Sequence, residues 1–216
     1  MARTMTAADF VRMIRRAAAR VEAEHATLTR LDSVCGDGDH GTTMQRAMAN
    51  AIKAASEAAG EAAAGDLPAL VEAVAWAVLG TDGGATGPLF GSFFLGMSEG
   101  LKSVAAHDAV GVATSFEAGL ASIRKQTPAQ PGDKTMLDAL LPGVEAMRKA
   151  ATEGGDLGTA LARAADAAEA GAKATAPMRA RLGRARNLGD RSIGSPDPGA
   201  TSVGLLFRGF ADAFSE

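Results

Sequence analysis

Three aspartates, Asp32, Asp37 and Asp39, fall within eight residues, with Gly36 and Gly38 between them. Glycines let a backbone turn sharply enough to aim neighbouring carboxylates at one point. Converging carboxylates repel by an energy on the order of several kcal/mol at modest effective dielectric, so such an arrangement needs a cation. All-oxygen donors suit a hard ion, with magnesium the obvious choice. The bland alternative is turn chemistry, in which Asp and Gly are both common. His40, next in line, reads as a hydrogen-bonding neighbour of oxygen ligands rather than a magnesium ligand.

Two familiar patterns overlap this stretch and both fail. Gly36, Gly38 and Gly41 match a dinucleotide fingerprint, but no strand precedes them and aspartates would stand beside the phosphate. Asp37, Asp39 and Gly41 hint at a calcium loop, but Met48 takes the place of the closing Glu.

A second segment, GGATGP at 83–88, is a glycine-rich turn leading into a helix. Backbone N–H groups and the helix dipole together make an anion site there, with the Thr86 hydroxyl as a further donor. A flexible inter-helix loop is the competing reading. No Gly-x-x-x-x-Gly-Lys-Ser/Thr occurs, so a phosphate would need a cradle other than a P-loop. A third segment carries five arginines, Arg179, Arg181, Arg184, Arg186 and Arg191, followed by a Pro-Asp-Pro-Gly turn at 196–199. Without interleaved aromatics it is a poor nucleic-acid surface. It is either a solvated face or a source of one or two guanidinium groups for phosphate oxygens. Acids for a metal, a phosphate cradle and an arginine are together the inventory of phosphoryl transfer.

These segments must be held by a scaffold, and the composition names its type. Of 216 residues 49 are Ala, aromatics make up 4% and Tyr is absent, which predicts an all-α chain in which small side chains let helices approach closely. Helical periodicity is expected over residues 6–30 with a Thr6/Asp9 capping box, then 41–58, and 67–79 with Asp66 as N-cap. Further helices are expected over 89–102, 108–125, 134–151 with a kink at Pro142, 157–173 with an extension towards 182, and 201–214. Residues 31–41 are expected to be loop. The alanine tract after 157 carries Arg163, Asp166, Glu169 and Lys173 on one stripe and reads as a surface helix. Residues 1–216 are expected to form one globular domain.

Function classes are also excluded. The formal net charge is -3 and gives no general pull toward nucleic acid or anionic lipid. No apolar run suggests a membrane span or a signal peptide, so the expected location is cytoplasmic. Cys35, the one cysteine, rules out an internal disulfide and reads as a small apolar filler, and His25 and His107 receive no role.

Four motifs in order, GDGDHG at 36–41, GGATGPLFG at 83–91, PGDKTML at 131–137 and GRARNLGDRSIGSPDPGATS at 183–202, resemble the nucleotide-binding L subunit of dihydroxyacetone kinases over essentially the whole chain. The resemblance implies an eight-helix antiparallel barrel with ADP or ATP bound at one end through two magnesium ions. By motif, Asp32, Asp37 and Asp39 would hold the ions, while His40, Gly41, Thr42, Thr43, Ala85 and Thr86 would contact phosphates. Thr127, Met136, Asp197, Pro198 and Gly199 would line the nucleotide, and Arg184 would assist transfer. The resemblance also implies a separate K subunit that carries the ketose covalently on a histidine. The nucleotide would either stay bound and be rephosphorylated by a phosphotransferase-system phosphocarrier, or exchange as ATP. Dihydroxyacetone or a four-carbon ketose, self-association as a homodimer, and a non-catalytic regulatory role all stay open.

Overall fold

The computed structural model describes residues 3–61 and 66–215. Among these residues there is no strand. Nine α-helices are present: α1 (Ala7–Ala23), α2 (His25–Cys35), α3 (His40–Glu61), α4 (Leu67–Leu79), α5 (Thr86–Lys102), α6 (Ala109–Arg124), α7 (Leu137–Thr152), α8 (Leu157–Ala174) and α9 (Pro198–Asp212). A 3-10 segment, Arg184–Ser192, bridges α8 and α9.

Each expected helical run is present. The first is divided: the chain leaves helical geometry at Glu24, and α2 then continues to Cys35, into residues expected to be loop. Asp32 therefore lies in the last turn of a helix. Its glycine and aspartate neighbours had masked the helical pattern. The helix expected from 134 starts only at Leu137, because Lys134 takes a left-handed backbone (φ 61°). α8 ends at Ala174 rather than extending toward 182, and α9 starts at Pro198, three residues earlier than expected. The side chain of Cys35 lies outside the described residues.

Local chemistry explains the boundaries. Thr6 and Asp9 form the expected capping box, with Thr6 Oγ1 accepting from the Asp9 N–H and Asp9 Oδ2 from the Thr6 N–H. Asp66, Asp108, Asp156 and Asp197 each accept an N–H three residues on, fixing the starts of α4, α6, α8 and α9. α7 runs on through Pro142, which leaves the Asp138 carbonyl without its helical donor. Gly171 of α8 packs against that carbonyl, so closely that a Cβ there would lie 2.3 Å from the oxygen.

Eight helices form a closed ring. α3 packs on α4, α4 on α5, and so on through α9, which returns to α1, and α1 closes on α3. α2 stands outside this circuit, contacting α3, α9 and the 3-10 segment. The inside is filled by six phenylalanines, Phe10, Phe93, Phe94, Phe116, Phe207 and Phe210, whose ring centroids lie 5.4–6.4 Å apart, mostly edge to face. Burying each such ring contributes roughly 1.5–3 kcal/mol. The expected close approach is present where Gly209 of α9 rests on the backbone of Ala17 in α1. α8 has Ala160, Ala164, Ala165, Ala168 and Ala172 buried, while Asp166 and Glu169 on its outer side meet Arg208.

Helices alternate in direction round the ring. The starts of α3, α5, α7 and α9 and the segments after α2, α4, α6 and α8 thus arrive at one end, where they line a single cavity.

Candidate functional site

The cavity has a volume of about 380 Å³. On one side stands the acid cluster. Asp32, Asp37 and Asp39 each offer a carboxylate oxygen within 4.8 Å of the others. Asp32 is the best anchored: its Oδ2 accepts the N–H groups of Asp39 (3.0 Å) and His40 (3.2 Å), tying the end of α2 to the start of α3. Gly36 makes this possible, since a Cβ there would lie 2.2 Å from Asp32 Oδ1. Asp37 is paired with the Arg184 guanidinium, and that hydrogen bond holds its carboxyl below the usual range. Partial burial, and then the charge of Asp37, push the Asp39 carboxyl up. Repulsion within the cluster, with a guanidinium drawn onto it, is the behaviour of acids that would accept a hard cation.

Next to the acids is the glycine turn. Gly83 (φ 127°) and Gly84 (φ 51°) bring the chain into α5, whose N-terminus has no side-chain cap. α7 is likewise uncapped but carries Asp138 in its first turn, and Asp197 caps α9, so α5, with neither a capping side chain nor an acid at its start, has the amides placed to meet an anion. Gly83 sits directly on Thr43, where a Cβ would come 2.5 Å from Oγ1. His40 joins three helices: Ser202 Oγ is 2.8 Å from its Nε2 and Thr86 Oγ1 is 3.3 Å from its Nδ1. Burial lowers the pKa of His40, against the pull of Asp32 and Asp39.

A model of the DAK2 domain matches residues 34–212. The chain is 36% identical over 193 residues to the ADP-binding subunit DhaL of the PEP-dependent dihydroxyacetone kinase of Escherichia coli (strain K12), covering 89% of this chain and 90% of that one. It is 37% identical over 205 residues to the ADP-binding subunit DhaL of PEP-dependent dihydroxyacetone kinase 2 of Listeria innocua, covering 94% and 92%. This chain belongs to the DAK2-domain family. It is also 37% identical over 185 residues to the D-erythrulose kinase of Mycolicibacterium smegmatis, 86% of this chain but 32% of that enzyme. The crystal structure of the dihydroxyacetone kinase of C. freundii in complex with AMP-PNP and Mg2+ superposes with a TM-score of 0.72 at 26% identity, over 100% of this chain and 35% of that one.

In this DAK2 domain the residues singled out from the sequence converge unevenly. Asp32, Asp37, Asp39, His40, Ala85, Thr86, Thr127, Met136, Arg184, Asp197, Pro198 and Gly199 all line the cavity. Gly41, Thr42 and Thr43 do not. Gly41 is pressed onto α2 beside Thr29, Thr42 faces outward near His25, and Thr43 is buried under Gly83. Of the five arginines only Arg184 reaches the cavity, while Arg179 and Arg181 pair with Asp190 and Asp133. His107 is a structural contact, its carbonyl accepting the Met5 N–H at 2.7 Å.

The lining of the DAK2 cavity also holds what the sequence had not signalled, an apolar wall. Leu89, Phe90, Ala129, Leu137 and Leu182 form it, and it is suited to a flat ring. The helical spacing of Leu89, Phe90 and Leu137 marks them as buried without saying that they face a cavity, and Ala129 and Leu182 lie in loops, where no period marks them. Lys134 is buried, and its ammonium donates to the carbonyls of Ser195 (2.6 Å), Thr175 (2.9 Å) and Met178 (3.2 Å). Between Asp133 and Thr135, in a Pro-Gly loop, it looks like any exposed lysine. Asp197 caps α9, and its burial among these groups pushes its carboxyl up to about 7.

Proposed function

We propose that this chain is the nucleotide-binding subunit of a dihydroxyacetone or related short-ketose kinase, binding ADP or ATP with two magnesium ions. Residues 1–216 act as one unit in this reading. The observation that carries it is the acid cluster facing the uncapped start of α5 across one cavity of nucleotide size. Asp32, Asp37 and Asp39 would hold the ions. The α5 amides with Ala85 and Thr86, together with His40, would receive phosphate oxygens, while Gly41, Thr42 and Thr43, which lie off the cavity, would serve only to seat the start of α3 against α2 and Gly83. The apolar wall with Thr127 and Met136, together with Asp197, Pro198 and Gly199, would take the nucleoside. Bound there, magnesium would offset the charge of the polyphosphate. Arg184 stands at the mouth, where a guanidinium can stabilise charge developing on a phosphoryl group in transfer.

The acceptor ketose would be held by a separate K subunit, as the relatives named as subunits of multi-chain kinases suggest. A phosphocarrier would restore the phosphoryl group, in keeping with a relative from Lactococcus lactis named PTS-dependent. A homodimer and a cytoplasmic location complete the reading, and among the described residues no helix is long and apolar enough to cross a membrane. A four-carbon acceptor is the second reading, favoured by the likeness to erythrulose kinases. Calorimetry of ADP and ATP with and without magnesium tests the core of the proposal. Magnesium-dependent binding supports it, and no binding of either nucleotide refutes it.

A further inference from the structure

We propose that Lys134 is the positioning residue of this site: its buried ammonium clamps the segment that carries Arg184 and the Asp197 turn against the 131–137 loop. In its bearing on nucleotide this rests on the function proposed above, but the clamp itself does not.

The loop is wound so as to turn this one side chain inward. Asp138 receives the Gly132 N–H on Oδ1 (2.5 Å) and the Thr135 N–H on Oδ2 (2.8 Å), while Asp133 Oδ2 receives the Gln130 N–H (2.8 Å). Lys134 between them is the one residue other than glycine with positive φ among the described residues. Such a conformation persists only where surrounding contacts impose it. The ammonium has three protons. Its three nearest carbonyls, Ser195, Thr175 and Met178, lie at both ends of the stretch 175–195, with the Ala176 carbonyl farther off at 3.5 Å.

That stretch is otherwise held by a few polar contacts: the Arg181 N–H donates to the Asp133 carbonyl (3.2 Å), and the buried Ser192 Oγ accepts the Ala180 N–H (2.9 Å) and donates to the Gly189 carbonyl (2.6 Å). From 181 to 191 every residue is exposed or half-buried, and the 3-10 segment is broken at Gly189. Its ends are fastened near the ammonium. The Gly194 N–H donates to the Ala176 carbonyl (2.8 Å), and the Asp197 N–H donates to Thr175 Oγ1 (2.8 Å). A charged donor holds carbonyls more firmly than a neutral one, and no apolar side chain can replace it without leaving them unpaired. Leu182, Gly183 and Arg184 on one flank of the cavity and Asp197, Pro198 and Gly199 on the other are thus placed through Lys134.

Lys134→Met, nearly isosteric and uncharged, tests this in the full chain. Without ligand, amide exchange over 179–196 should rise at least tenfold while α1, α4, α5 and α6 keep wild-type protection, and unchanged exchange there overturns the clamp. If Lys134→Met lacks the helical spectrum, Lys134→Gln is read in the same way. With ADP and magnesium, affinity should fall at least tenfold, and Arg184→Gln should cost less phosphoryl transfer to the ketose-bearing partner in the Lys134→Met background than in wild type. Additive losses would mean that Lys134 does not act through Arg184. Should the wild type bind no nucleotide, the proposed function fails while the exchange measurement still decides the clamp.

Discussion

The Arg184 guanidinium lies on the Asp37 carboxylate, bridging the 3-10 segment and the acid cluster across the cavity mouth. Both groups are largely solvent-exposed, so the pair contributes little to stability. Its interest is competition, since a cation held by Asp37 and the guanidinium offset the same charge. Filling the cluster with magnesium would release Arg184 toward the phosphates. Arg184→Gln is therefore expected to bind magnesium and ADP at least as tightly as wild type, by calorimetry, while phosphoryl transfer with the ketose-bearing partner falls by about 10²–10³-fold in kcat. Lost magnesium binding with unchanged turnover would reverse the assignment.

Asp37 and Asp32 should separate when each is changed to Ala. Asp37 is exposed and pairs with Arg184, so Asp37→Ala should abolish magnesium-dependent ADP binding with the melting temperature and helical spectrum unchanged. Asp32 accepts two N–H groups that tie α2 to α3, so Asp32→Ala should lose binding and also about 1 kcal/mol of stability. Equal melting temperatures for the two variants would contradict that division.

Gly36 has room for no side chain. Alanine there would place Cβ against Asp32 Oδ1, forcing the carboxylate to swing or the turn to open. Gly36→Ala should keep the helical barrel, which the loop does not support, and weaken magnesium-dependent ADP binding at least tenfold. Binding within twofold of wild type would show that the carboxylate does not need its observed position.

Legibility in the sequence followed the range of the interactions. The caps of α4, α6, α8 and α9 are local, an Asp and an N–H three residues on, and five of the six residues flagged as phosphate or metal contacts in 32–40 and 85–86 sit in short motifs whose glycines fix the turn. The break at Glu24 has no such signal, because Arg20 to Thr29 keeps helical spacing across it and only the packing of α2 over the end of the ring imposes it. Lys134 was equally silent, since its partners lie 41 to 61 residues away and are backbone carbonyls, which carry no sequence identity. Of the apolar wall, Leu89 and Phe90 read only as the start of a buried helix, because burial against a neighbour and burial beneath a ligand have the same pattern.

Asp197 supplies a pH dependence that a neutral cap would lack. Burial raises its carboxyl from the ordinary 3.8 to about 7, so the folded state favours the protonated form. The stability associated with that proton is fully present below about pH 4 and is lost as pH rises through about 7. Asp197→Asn keeps an oxygen to accept the Ala200 N–H and cap α9, but has no proton to lose. Wild type should therefore lose stability relative to Asp197→Asn as pH is raised from 4 to 7, and the difference should level off above pH 8. Other carboxylates and histidines titrate alike in both proteins and cancel in the comparison. Thermal midpoints of the two chains across this range measure it, and a difference that stays constant from pH 4 to 8 would show that Asp197 is already ionised throughout, stabilised by the Lys134 ammonium and the start of α9.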